Sequence, residues 1–255
     1  MTRQSPLICV PDAVTPSAVT FGPLLRVLTQ GPVPLRKELE VYSSDPPGPP
    51  GYSVEQEVEG LLRFADNAGA QRFHLLGSSF GAYVCLAFIV SYPERVRSLA
   101  LIEPASINEH LETPEGTEYR IRIERCLELP EQSQLPTMLP LLLRRPETAP
   151  PIGDPPPWMT MRGRGMKAII QAEKRYKLDR SRLSRFRQPV YLASGSESHP
   201  SFAELIHDLA RRFPNAAVDV YEGRSHLDAP HRAEPERFAR ALRELWQRSE
   251  TSSVS

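Results

Sequence analysis

Residues 81–92 read GAYVCLAFIVSY, a run with no charged side chain and apolar groups on every side. A segment of that length and composition predicts a helix, and a helix apolar all round must be buried on all sides. Pro93 stands where it should end. The segment is flanked by two short apolar runs, RFHLLG (72–77) and VRSLALIE (96–103), which read as strands. A buried helix between two buried strands is a crossover unit, and crossovers of this kind build a parallel sheet covered on both faces.

The same rhythm extends outward. PLICV (6–10) and ELEVYSS (38–44) are strand candidates, with the helix-like FGPLLRVLT (21–29) between them. SVEQEVEGLLRFADNAG (53–69) predicts an amphipathic helix. Ser53 caps its start, Glu55 and Glu57 sit near the positive end of its dipole, and Gly69 marks its end. Further on come the strand PVYLASG (189–195), the helix SFAELIHDLARRF (201–213), the strand AAVDVYEG (216–223) and a last helix EPERFARALRELWQRS (234–249). Between about 105 and 187 the alternation breaks. EYRIRIERCLEL, QLPTMLPLLLRR and GMKAIIQAEKRYKLD are helical in pattern, separated by proline, with no convincing strand. The expected organisation is an α/β core of about six mostly parallel strands (residues 1–104 and 188–249). A helical cap is inserted at 105–187, and a disordered tail follows at 250–255.

Composition narrows the function classes. The chain has 255 residues, 40% hydrophobic and 24% charged, enough for one large domain. Lys+Arg and Asp+Glu both number 31, so no basic footprint points to nucleic acid. No stretch approaches the roughly 18 to 20 apolar residues of a membrane span. The apolar run in MTRQSPLICV is shorter than a signal-peptide core of about 7 to 15 residues, so a cytoplasmic location is expected. Cys9, Cys85 and Cys126 are odd in number and widely spaced, which indicates neither a disulfide framework nor a zinc site. The 27 prolines concentrate in DPPGPPG and APPIGDPPPW, which read as extended loops.

The chemistry concentrates in Gly77-Ser78-Ser79-Phe80-Gly81. This is G-x-S-x-G placed between a predicted strand and a predicted helix. Such a turn lifts the central side chain above the sheet, and glycines flank it because a Cβ there would collide with neighbouring backbone. With this elbow, the helical insertion, the late strand and a histidine before the closing helix, nearly the whole chain resembles the α/β-hydrolase superfamily. The resemblance implies a Ser–His–acid hydrolase with Ser79 as nucleophile, and does not fix the substrate. With six strand candidates, the first antiparallel strands of the family's larger members are expected to be absent.

His226, in YEGRSHLDAP, stands where the family keeps its catalytic histidine, in a G-x-x-H loop. His231 is the rival. His74 in a strand, His207 in a helix and His110 in the insertion have blander roles. The family usually places its acid in the loop after the late strand. In LASGSESHP that position is Ser198, with Glu197 one residue early. Some members carry the acid at the end of the strand after the nucleophile helix, and Glu103 in LIEPA fits that place. Glu103 is the favoured acid, with Glu197 and then Asp228 as alternatives. The resemblance also implies an oxyanion hole from the backbone N–H groups of Ala13 and Phe80. Here the chain departs from the family, because Pro11-Asp12 replace His-Gly, and a carboxylate beside an oxyanion is unfavourable unless it caps the following turn.

Met138, Leu139, Leu141, Leu142, Trp158, Met159 and Met161 are candidate pocket walls. Trp158, Met159, Met138 and Leu142 are named as substrate-binding. Arg144, Arg145, Arg162 and Arg164 are either solvated or face an anionic substrate. The expectation is a serine hydrolase for a small, fairly apolar ester, thioester or lactone, with no metal or organic cofactor. The alternatives are a C–C bond hydrolase or acyltransferase with the same triad, and a non-catalytic ligand-binding protein of the same fold.

Overall fold

In the computed structural model, residues 5–105, 113–151 and 157–251 are described, apart from the side chains at 157, 158, 160 and 161. Six strands form one parallel sheet: β1 (Leu7–Val10), β2 (Pro34–Arg36), β3 (Phe73–Ser78), β4 (Val96–Ile102), β5 (Val190–Gly195) and β6 (Ala216–Tyr221). Their spatial order is β2-β1-β3-β4-β5-β6. The helices in chain order are α1 (Ser17–Thr20), α2 (Gly22–Val27), α3 (Val54–Asn67), α4 (Phe80–Ser91), α5 (Pro114–Cys126), α6 (Glu131–Met138), α7 (Pro157–Arg175), α8 (Pro200–Arg212), α9 (Pro230–Ala233) and α10 (Pro235–Thr251).

The strands alternate between two cores, as a two-residue side-chain period requires. Ile8, Val10, Leu75, Leu99, Leu101, Val190 and Leu192 face a cluster built with α3, α4 and α8. Leu7, Cys9, Leu76, Ala100, Ile102, Tyr191 and Ala193 face α2 and α10 on the other side. From Phe80 to Val90, every residue of α4 is buried, which is what its uncharged sequence demanded. A third apolar cluster joins α5, α6, α7 and Phe202 of α8. No helix among the described residues is long and apolar enough to cross a membrane.

Two expected elements differ. Residues 38–44 are not a strand. β2 lies earlier, paired with β1 through Leu7↔Pro34 and Ile8↔Leu35, and Glu40–Tyr42 form a 3₁₀ turn. The cause is Glu57 of α3, whose buried carboxylate accepts the N–H groups of Glu40 (2.8 Å) and Val41 (3.0 Å) and the Tyr52 hydroxyl (2.7 Å). Those amides turn toward a side chain and are lost to any sheet ladder. Burial pushes the Glu57 carboxyl up from its ordinary value, against the pull of these donors. The helix expected over 21–29 is α2, limited to Gly22–Val27 with Pro23 in its first turn, and a separate short helix α1, with Pro16 as its cap, precedes it. Ser53 caps α3 as expected, accepting from Gln56 N–H at 3.3 Å. At the C-terminus, α10 continues through Thr251, so residues 250 and 251 are helical, not tail, while 252–255 lie outside the described residues.

Register places the site. Val10 pairs with Gly77, Ser78 with Ile102, Ile102 with Ala193, and Gly195 with Tyr221. The carboxyl ends of five strands therefore lie side by side, the edge where open α/β sheets assemble sites. Packing there is close. A Cβ at Gly81 would run into the backbone carbonyl oxygens of Pro11 and Val10. Gly81→Ala gains about 1 kcal/mol of helix propensity, but overpacking costs about 1–3 kcal/mol, and strand backbone cannot swing aside as a side chain can. A net loss of up to about 2 kcal/mol is expected in urea denaturation.

Candidate active site

Ser79 sits between β3 and α4 with φ 54° and ψ −122°, a conformation a non-glycine residue adopts only at a cost of about 1–3 kcal/mol. The surroundings hold it there. Its N–H donates to Ile102 O at 2.9 Å, and its carbonyl accepts from Ala82, Tyr83 and Ala105. At Gly77 a Cβ would lie 2.6 Å from the Ala82 Cα. Glycine before and after Ser78-Ser79-Phe80 is thus a packing requirement of this turn.

Glu103, after β4, and His226, after β6, meet Ser79 at the carboxyl edge of the sheet. His226 Nε2 lies 2.9 Å from Ser79 Oγ, and His226 Nδ1 lies 2.9 Å from Glu103 Oε2. Glu103 is 1% exposed and the imidazole 9%. Its other oxygen, Oε1, accepts the Gly195 N–H at 2.8 Å and the Ser198 hydroxyl at 2.5 Å. A buried carboxylate is tolerated when its lone pairs are filled in this way. Accepting from Nδ1–H also selects the tautomer whose bare Nε2 can take the serine proton. Phe202 lies flat on the imidazole, with centroids 4.4 Å apart and planes at 20°.

The rival acids point elsewhere. Glu197 pairs with Arg145 at 3.0 Å on the surface, and its backbone is fixed by Arg144 and Arg224. Asp228 pairs with Arg224 at 3.1 Å. Ser198, at the family's usual acid position, donates to Glu103. The rival histidine is placed away from this group. His231 is buried among Phe21 and Phe238, and burial lowers its pKa to about 3. His74, with Nδ1 2.8 Å from Ser98 Oγ, is lowered to about 4, by burial first and by Arg97 second. His207 lies in α8, and His110 is outside the described residues.

Asp12 borders the cavity, and its carboxylate is taken up by its own turn. Its Oδ1 accepts the N–H groups of Val14 (2.8 Å) and Thr15 (2.6 Å), and Oδ2 accepts the hydroxyls of Thr15 (2.5 Å) and Thr20 (3.0 Å). The carboxylate organises its own turn. Ala13 and Phe80 both border the cavity above Ser79. As the first residue of α4, Phe80 has an N–H with no acceptor inside the helix.

That cavity, about 390 Å³, reaches from Ser79 and His226 to α5, α6 and α7. Met138, Leu139, Leu142 and Met159 line it. Leu141 is packed inside the α5–α7 cluster instead. The side chains of Trp158 and Met161 are outside the described residues. Tyr119, Ile123, Met166, Ile169 and Ile170 also line the cavity and were not singled out from sequence. Their helical spacing carries no signal to separate cavity wall from ordinary core. The arginines are engaged with protein: Arg162 with Glu38, Arg164 with Glu131, Arg145 with Glu197, and Arg144 with the Ser196 carbonyl.

Comparison with known proteins gives a consistent frame. A family model described as the alpha/beta hydrolase family matches residues 13–241. An abhydrolase domain-containing protein of Caenorhabditis elegans is 32% identical over 69 residues, 27% of this chain and 14% of its own. An uncharacterized carboxylesterase of Bacillus subtilis is 33% identical over 72 residues, 25% of this chain and 24% of its own. The chain thus matches less than a quarter of the length of either relative. Among solved structures, a thermophilic esterase from Thermogutta terrifontis superposes with a TM-score of 0.70 at 20% identity, covering 96% of this chain and 90% of that one.

Two outcomes follow from the geometry. Glu103→Gln is expected to lower kcat by on the order of a thousandfold or more, because an amide no longer enforces the tautomer, while Glu197→Gln stays within about twofold; steady-state kinetics on one ester separates them. Stability should also fall with acid through the two buried histidines. Their folded pKa values lie below the unfolded value, so the unfolded chain binds more protons. Their contribution is complete above about pH 6.5 and declines as pH drops toward about 4 for His74 and about 3 for His231. The slope is roughly 1.4 kcal/mol per pH unit for each. Urea titrations across this range should show His231→Leu with a flatter acid limb.

Proposed function

Because the chain belongs to the alpha/beta hydrolase family, we propose that it is a serine hydrolase that cleaves a small, fairly apolar carboxylic ester, thioester or lactone through an acyl-enzyme on Ser79. The observation that carries the proposal is the unbroken Ser79–His226–Glu103 hydrogen-bond chain at the floor of an apolar cavity.

In this mechanism Ser79 Oγ attacks the acyl carbon as its proton passes to His226 Nε2. Glu103 keeps the imidazole oriented and stabilises the imidazolium, without itself taking the proton. Negative charge develops on the former carbonyl oxygen, where the N–H groups of Ala13 and Phe80 receive it. The imidazolium then protonates the departing alcohol or thiol. Water, activated by the same nitrogen, adds to the acyl carbon and releases Ser79. The helices between β4 and β5 act as a cap whose Met138, Leu142 and Met159 contact the apolar part of the substrate. Arg145, Arg162 and Arg164 pair with protein carboxylates and do not line the cavity, whose wall is mostly apolar, in keeping with a fairly apolar substrate.

A non-catalytic protein of this fold is disfavoured by the two features that first invited it. An acid stands beside His226 although the usual position in the late loop is Ser198, and Asp12 is occupied by its own turn.

The test is labelling with a fluorophosphonate together with hydrolysis of p-nitrophenyl esters of increasing chain length. Wild type should label and hydrolyse; Ser79→Ala should not label and should lose at least about a thousandfold in kcat/KM. A wild type that neither labels nor hydrolyses would sink the proposal.

A further inference from the structure

We propose that Tyr42 is a positioning residue for the oxyanion hole, holding the Ala13 peptide from behind while the α7 helix clamps its ring. The proposal rests on the serine-hydrolase reading above.

The peptide unit joining Ala13 to Val14 is held at both ends. Its N–H, that of Val14, donates to Asp12 Oδ1 at 2.8 Å, and its carbonyl, that of Ala13, accepts the Tyr42 hydroxyl. Fixing this unit anchors the Ala13 Cα, so the adjoining Asp12–Ala13 peptide, which carries the Ala13 N–H, has less freedom to turn away from the cavity. A donor serves an oxyanion only within a few tenths of an ångström of the right distance. Rotation of this peptide would therefore cost rate without altering how the ground-state substrate packs.

Tyr42 is itself restrained from three sides. The 3₁₀ turn that carries it is bonded to the buried Glu57 carboxylate through Glu40 and Val41. The Arg162 guanidinium lies over its ring, 3.9 Å from the centroid. Gly165, one turn further along α7, lets the ring lie against the helix, since a Cβ there would fall 2.8 Å from both Tyr42 Cζ and its hydroxyl oxygen. The hydroxyl also lies 3.1 Å from the Arg162 carbonyl. Arg162 is buried and pairs with Glu38 at 2.7 Å. The other oxygen of Glu38 accepts the Ser17 N–H at 2.7 Å, just beyond the Asp12 turn. The loop from Asp12 to Ser17 is thus braced at two points by residues tied to α7, far from Ala13 in sequence.

The experiment compares wild type, Tyr42→Phe, Arg162→Met and the double variant as full chains, with p-nitrophenyl butyrate as substrate. Active sites are counted with a fluorophosphonate, so that kcat refers to folded enzyme. Tyr42→Phe keeps the ring and removes only the hydroxyl. Its kcat should fall about tenfold, less than the loss of a whole oxyanion donor, with KM within about twofold. The second-order rate of fluorophosphonate labelling should fall by the same factor. Arg162→Met should lower kcat about two- to fivefold with KM likewise unchanged, and the double variant should lose less than the two single losses combined, because the part of the Arg162 effect that passes through the ring disappears with the hydroxyl while the part that passes through Glu38 remains. Unchanged kcat in Tyr42→Phe, a rise in KM at constant kcat, or additive losses in the double variant would overturn the proposal. If Tyr42→Phe does not fold, Arg162→Met decides: a fall in kcat at constant KM supports it and an unchanged kcat overturns it. An inert wild type overturns both this proposal and the Ser79 reading, whereas an active wild type with an indifferent Tyr42→Phe overturns this one alone.

Discussion

The Glu103 carboxylate gathers three donors from two strand ends: the Gly195 N–H at the end of β5 with the Ser198 hydroxyl just beyond it, and His226 Nδ1 after β6. It is buried, so each of these bonds replaces a water that cannot reach it. Leaving a buried charge short of partners costs several kcal/mol. The two strand ends are consequently fixed by the acid as much as the acid is fixed by them. The position of the imidazole over Ser79 follows from this arrangement, with Phe202 closing its free face.

Backbone strain is concentrated at the same place. Among the described residues, Ser79 and Glu103 are the non-glycine residues with positive φ, at 54° and 42°. Each ends a central strand, and each is held by a hydrogen bond to the next strand: Ser79 N–H to Ile102 O, and Glu103 N–H to Ala193 O. A sheet buried on both faces supplies the rigidity for both residues to turn sharply out of register and present their side chains at its carboxyl edge. The cost is localised at the two positions whose side chains are proposed to react and to orient.

Above this floor the helices between β4 and β5 supply apolar surface, and α7 reaches back to the loop after β1 through Arg162 and Tyr42. The wall that would contact substrate and the loop that would receive the oxyanion therefore share one helix. Neither Arg162 nor Tyr42 looks special in the sequence, since an arginine on a helix and a tyrosine before a proline loop are ordinary surface residues until packing brings them together.

The sequence by itself determined the layered architecture. An uncharged α4 can exist only between buried layers, and apolar strands at crossover spacing can pair only in parallel. It also determined the elbow, since glycines around Ser79 are a local steric requirement, and it located His226 by its place between the last strand and the last helix. Glu103 was legible as the favoured acid, because a carboxylate ending an apolar strand needs a partner, but Glu197 remained an alternative. The choice between them belongs to register, which brings the ends of β4, β5 and β6 together and turns Glu197 outward to Arg145. The strand expected at 38–44 was lost to a long-range contact with Glu57 that local propensity cannot express. The fate of Asp12, the lining of the cavity and the brace on Ala13 were decided in the same way. Each depends on hydrogen bonds and packing between segments distant in the chain, and those are energies that only the folded arrangement contains.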